Sequence, residues 1–134
     1  MAEPKGKPSE LELQVLSVLW GRGPSTARQV LEAIPDRKAR AYTTVLTVMQ
    51  VMEKKGLLTH TRDGVTHVYK PAVSKRQVLR PLLRGLVERI FGGSTSAAVQ
   101  QLLAETDVTE ADVARIRDLL REHEQGDHGK SRKP

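Results

Sequence analysis

AYTTVLTVMQVMEKKGLLTHTRDGVTHVYKP, residues 41–71, decides the fold. From Tyr42 to Lys55 the apolar residues Val45, Val48, Met49 and Met52 recur at helical spacing. Thr43, Thr44, Thr47, Gln50 and Lys54 form the opposite, polar face. Gly56 is a suitable C-terminal stop. The next two runs, Leu57–Arg62 and Val65–Lys70, are rich in β-branched residues and flank Asp63-Gly64. Such a pair between such runs predicts a tight hairpin with positive φ at both central residues. Pro71 closes it.

Upstream, two more helices precede the third. Ser9-Glu10-Leu11-Glu12 is a capping-box pattern, in which a hydroxyl and a carboxylate satisfy free N–H groups of the first turn. Leu13, Leu16 and Trp20 share one face, with Leu19 beside them, until Gly21, Gly23 and Pro24 stop the helix. Ser25 or Thr26 caps a second helix to about Ile34, with Val30, Leu31 and Ile34 facing inward. Pro35 ends it, and Asp36–Arg40 is a polar, basic loop. Helix, helix, helix, hairpin is the order of a winged helix.

Downstream the chain reads helical from Ser74 to Phe91. Pro81 either kinks this helix or marks the first turn of a new one, and Gly92-Gly93 ends it. Ser94 caps a fifth helix carrying Val99, Leu102 and Leu103. Thr109-Glu110-Ala111-Asp112 opens a sixth carrying Val113, Ile116, Leu119 and Leu120. The expected fold is mainly α with a small β-hairpin wing. Residues 1–8 form a flexible basic arm, 9–72 a winged helix-turn-helix, 73–125 a helical dimerisation domain and 126–134 a disordered tail. So short a helical segment buries little apolar surface alone, which is the motive for pairing two copies. Some of these apolar residues are expected to pack within one subunit.

Charge points to a polyanionic partner. The net charge is +6, and residues 1–72 carry 11 Lys and Arg against 7 Asp and Glu. Cysteine is absent, which excludes disulfides, thiolate metal clusters and cysteine nucleophiles. No apolar run approaches a membrane span. The N-terminus lacks the apolar centre of a signal peptide, so a cytoplasmic location is expected.

A helix in the DNA major groove keeps one face on the core and offers the other to base edges. The hydroxyls of Thr43, Thr44 and Thr47 can meet phosphates or bases, their methyls can meet thymine methyls, and Gln50 can read adenine. Arg40, Lys54 and Lys55 would anchor phosphates, and Arg62 beside the wing tip would reach a phosphate or the minor groove. On local grounds a solvated threonine face and a solvated turn arginine remain open. His60 and His67 face one another across the hairpin if Asp63-Gly64 is the turn. Zinc wants three or four ligands and no third is evident, so cross-strand packing is the expectation and no metal or cofactor is assigned.

The stretches SELELQVLSVLW, AYTTVLTVMQVMEKKGLL, RDGVTHVYKP and RIFGG resemble the BlaI/MecI/CopY family of bacterial repressors, from residue 9 to about 124. The resemblance implies an N-terminal winged helix, a C-terminal dimerisation domain and a palindromic double-stranded DNA operator with TACA and TGTA elements. It places Thr44 and Thr47 where the family's recognition-helix threonines contact DNA. Thr43 and Val51 depart from the staphylococcal members, which carry lysine and arginine there. In the penicillin-responsive branch a membrane sensor with a zinc-protease domain leads to repressor cleavage at an Asn-Phe bond. The corresponding positions here are Gln100-Gln101, so the scissile pair is absent. The copper-responsive branch uses C-terminal cysteines, which this chain lacks.

Two other function classes fit the sequence less well. A winged helix that serves as a protein-interaction module would lack basic neighbours around its reading face, and Arg40, Lys54, Lys55 and Arg62 speak against it. A small hydrolase or metal enzyme has no support: there is no phosphate-binding glycine loop, no His-Glu-x-x-His and no nucleophile–base pair. With 3% aromatic residues the chain offers few platforms for stacking RNA bases. No enzyme and no small-molecule substrate are expected.

Overall fold

The computed structural model describes residues 7–35 and 40–126. Most of the expected arm, residues 36–39 of the basic loop and residues 127–134 of the expected tail lie outside them. The elements run α1 (Glu10–Arg22), α2 (Ala27–Ala33), α3 (Tyr42–Lys54), β1 (Leu58–Asp63), β2 (Thr66–Pro71), α4 (Lys75–Ile90), α5 (Thr95–Glu105) and α6 (Glu110–Gly126). Three helices and an antiparallel hairpin make the winged helix, and a helical segment follows.

Short polar side chains start most of the helices. Ser9 and Glu12 form the capping box of α1, and Thr26 and Gln29 that of α2. Ser74 and Gln77 reciprocate in the same way at α4. Ser94 caps α5, and Thr109 and Asp112 form a box at α6. α4 runs on through Pro81, where the missing N–H leaves the Gln77 carbonyl without its helical partner.

The chain divides into two compact units, Met1–Arg84 and Gly85–Pro134. The first has one core: Val15, Leu16 and Leu19 of α1, Ala27 and Val30 of α2, Val45, Met49 and Met52 of α3, Leu57, Leu58 and Tyr69 of the wing, and Val73 and Val78 beyond it. This unit therefore extends past residue 72 into α4. The indole Nε1 of Trp20 donates to the Val73 carbonyl at 3.0 Å, which ties that extension to α1. The buried face of α1 centres on Glu12, Val15, Leu16 and Leu19, while Leu13 and Trp20 are half-buried at its margins.

The hairpin turn differs from the expected one. Asp63 pairs with Thr66, so the two-residue turn is Gly64-Val65. Gly64 has φ +68, and no non-glycine among the described residues has positive φ. A first central glycine at positive φ is the II′ pattern, and it spares Asp63 the left-handed conformation that costs an L-residue about 1–2 kcal/mol. The register moves by two residues. His60 lies opposite Tyr69 and His67 opposite Arg62, so the two histidines are not the direct pair that was expected. A two-residue shift preserves the face, and the rings meet on the diagonal with centroids 4.1 Å apart.

Ser25 takes a role the sequence left open. Thr26 caps α2, and Ser25 forms a β-bridge to Tyr69, with Ser25 N–H donating to the Tyr69 carbonyl at 2.9 Å and Tyr69 N–H returning to Ser25 at 2.8 Å. The α1–α2 connection thereby holds the inner edge of the wing.

Candidate nucleic-acid interface

α3 is two-faced. Val45, Met49 and Met52 are fully buried, whereas Thr43, Thr44, Thr47, Gln50 and Lys54 are all exposed on the other side, with Val51 among them. The core takes one face and leaves the other to solvent. This face carries three hydroxyls, one carboxamide and one ammonium and no carboxylate. Arg40, half-exposed, sits just before the helix.

The first turn of α3 is capped by Ala41, whose side chain accepts no hydrogen bond. Among the described residues its N–H groups therefore receive no N-cap side chain of the kind seen at the other helices. Ala41→Ser is expected to stabilise the protein by about 0.5–1 kcal/mol, read as a higher midpoint in urea unfolding with unchanged slope. An unchanged midpoint would show that these N–H groups are already satisfied.

Lys55 makes a contact that its place in the sequence does not announce. Its Nζ lies 2.8 and 3.1 Å from the two carboxylate oxygens of the buried Glu12. Glu12 also accepts from Ser9 N–H at 2.9 Å. One carboxylate therefore caps α1 and anchors the C-terminal end of α3. Lys55 is half-buried beside this carboxylate, set back from the fully exposed row.

The wing is fastened to the same end of α3. The Glu53 carboxylate accepts from His60 Nδ1 at 2.8 and 2.9 Å, and His67 stacks on His60 with rings 10° from parallel. Tyr69 closes the cluster from the core side. Burial, then Glu53 and Tyr42, push its phenol above the ordinary value of 10, so the group stays neutral. Arg62 is exposed near the tip, and Val65 at the tip is 96% exposed. Among the described residues no group of three His, Asp or Glu side chains is placed to hold a metal ion.

Between α2, the flank of α3 and the wing lies an open cleft of about 480 Å³. Arg28 of α2 lies over the ring of Tyr42, 4.5 Å from its centroid. Sequence reasoning missed both residues. They stand 14 positions apart with a loop between them, and neither belongs to an amphipathic pattern that marks a surface.

In the second unit, α5 and α6 contain no buried residue. Val99, Leu102, Leu103, Val113, Leu119 and Leu120 are exposed and Ile116 is half-buried. Gln100 and Gln101 lie exposed within α5. Among the described residues no helix is long and apolar enough to cross a membrane.

Comparison with known proteins places these observations. The family model described as "Penicillinase repressor" matches residues 8–122. Transcriptional regulator BlaI of Mycobacterium tuberculosis is 38% identical over 122 residues, covering 90% of this chain and 86% of that protein. The penicillinase repressor of Bacillus licheniformis is 22% identical over 115 residues, covering 86% and 90%. The methicillin resistance regulatory protein MecI of Staphylococcus aureus is 19% identical over 112 residues, covering 84% and 91%. A solution structure of monomeric Bacillus licheniformis BlaI with the blaP half-operator aligns over 54% of this chain and 88% of that one, at 25% identity and a TM-score of 0.46. The match spans both units and carries one consequence: the chain belongs to the penicillinase repressor family, a family of transcriptional repressors and not of enzymes.

Proposed function

We propose that this DNA-binding transcriptional repressor recognises a palindromic operator of TACA/TGTA type as a homodimer. The observation that carries the reading is α3, whose buried face fixes an exposed row of Thr43, Thr44, Thr47 and Gln50 beside a wing. That row enters the major groove. Thr44 and Thr47 meet base edges and thymine methyls, Gln50 pairs with adenine, and Thr43 lies between base and backbone. Arg40, Lys54 and Arg62 take phosphates, which fix register without carrying sequence information.

Dimerisation is supported by the apolar side chains that α5 and α6 leave exposed in a single copy. Two copies place two reading heads on two half-sites, and a bound dimer excludes polymerase from the promoter. The cell compartment that fits is the cytoplasm. Release follows a signal from a membrane sensor–protease pathway, at a bond other than Asn-Phe since Gln100-Gln101 occupies the corresponding place, or by weakening the dimer without cleavage.

Fluorescence anisotropy on a TACA/TGTA palindrome and on a scrambled duplex, across a salt series, tests the reading. The palindrome is expected to bind at least about 10³-fold more tightly. Thr44→Ala with Thr47→Ala is expected to cost about tenfold or more on the palindrome and little on the scrambled duplex. Equal, weak binding of both duplexes by the unaltered protein would count against DNA reading of this type and favour a protein partner.

A further inference from the structure

We infer that the cleft between α2, α3 and the wing is a second DNA site, which seats one strand of the operator backbone on Arg28, with Tyr42 as the residue that positions it. The inference rests on the proposed DNA reading and deepens it. An α-helix is about 10–12 Å across with its side chains, and the B-DNA major groove is about 12 Å wide. A helix lying in that groove therefore has a sugar–phosphate strand along its flank. The flank of α3 that carries Tyr42, Leu46 and Gln50 is one wall of the cleft, and the wing residues Thr66 and His67 are the other. Gln50 belongs to both the cleft and the exposed reading row, so the two surfaces are continuous.

The chemistry of the lining fits a phosphodiester. None of the described residues lining the cleft is acidic, and Arg28 is its one cation. The guanidinium lies on the Tyr42 ring at 4.5 Å. Stacking on a ring face restricts a long side chain while leaving the N–H edge of the fork for two phosphate oxygens. Thr66 and His67 offer further donors across the gap. Apolar walls from Leu46 and Val65 suit the deoxyribose between phosphates. Such a strand would be held from both sides, by helix flank and by wing.

Salt dependence separates this role from the alternatives, because each phosphate neutralised adds about 0.9 to the slope of log affinity against log salt on duplex DNA. Arg28→Gln is expected to weaken the palindrome and the scrambled duplex alike, by about tenfold, and to lower the slope by about one. Arg28→Lys restores the slope but not the full affinity, since it keeps the charge and loses the fork. Tyr42→Ala weakens binding with the slope largely kept, and Tyr42→Phe, which retains the ring, binds as the unaltered protein does. Thermal unfolding run alongside shows whether each variant is folded. A folded Arg28→Gln variant with unchanged affinity and slope overturns the inference and leaves the operator reading standing. A loss confined to the palindrome overturns it too, because it would make Arg28 a base reader. An unaltered protein that binds neither duplex in a salt-dependent way overturns both readings.

Discussion

Leu103→Asp is expected to leave the protein monomeric and to lower its affinity for the palindrome by roughly 10²–10⁴-fold, with affinity for an isolated half-site nearly unchanged. Leu103 is exposed on α5, in a unit where Leu102 is 60% and Leu120 61% exposed in a single copy. A charge at that position, once covered by a second subunit, would be buried without a partner. Splitting the dimer removes the effective concentration of the second reading head, which is the source of avidity and has this magnitude. Sedimentation velocity reads the oligomeric state and anisotropy reads the affinity, so the two effects are scored separately. A variant that stays dimeric would remove Leu103 from the interface. A monomeric variant with full palindrome affinity would sink the coupling between pairing and repression, and with it the idea that release works by loosening the dimer.

Glu12→Ala is expected to destabilise the first unit by about 2–3 kcal/mol, at or just below the bottom of the roughly 3–5 kcal/mol range for breaking a fully buried ion pair. Its carboxylate is almost fully buried, while the side chain of Lys55 keeps 30% exposure and recovers part of its hydration. In a domain of this size the loss corresponds to about 10 °C or more in Tm. Lys55→Met is expected to be destabilising as well. Glu12→Leu combined with Lys55→Met is expected to recover much of the loss, because an apolar pair carries no desolvation penalty. The same variants test where Lys55 acts. If it serves only Glu12, Lys55→Met leaves the salt slope of DNA binding unchanged, whereas a phosphate contact would lower that slope by about one. A lowered slope in a fully stable variant would return Lys55 to the DNA surface.

Lys55 also shows how far local sequence reaches. It follows Lys54 in a basic pair at the end of a helix, and nothing local distinguishes the two. In space Lys54 is exposed and Lys55 reaches Glu12, 43 residues earlier. Glu12 itself reads as a helix cap, which it is. Its second partner follows from the crossing of α1 and α3. The wing gives a similar case. Two β-prone runs and a glycine suffice to predict a hairpin, but Asp63-Gly64 and Gly64-Val65 turns are both compatible with the pattern. A shift of two residues keeps every side chain on its face, so hydrophobic patterning cannot choose between them. Pairing of Tyr69 with Ser25 and His60, and contact of His60 with Glu53, fit the observed register.

The sequence by itself determined the element order, most of the helix caps, the two-faced character of α3 and the family, because each rests on residues within a few positions of one another or on a pattern carried along the whole chain. Only the tertiary structure decided the turn, the pairing of Lys55 with Glu12, the strand-like role of Ser25 and the meeting of Arg28 with Tyr42. Those depend on which distant residues packing brings into contact, through backbone or side chain, and neither periodicity nor local propensity encodes such contacts.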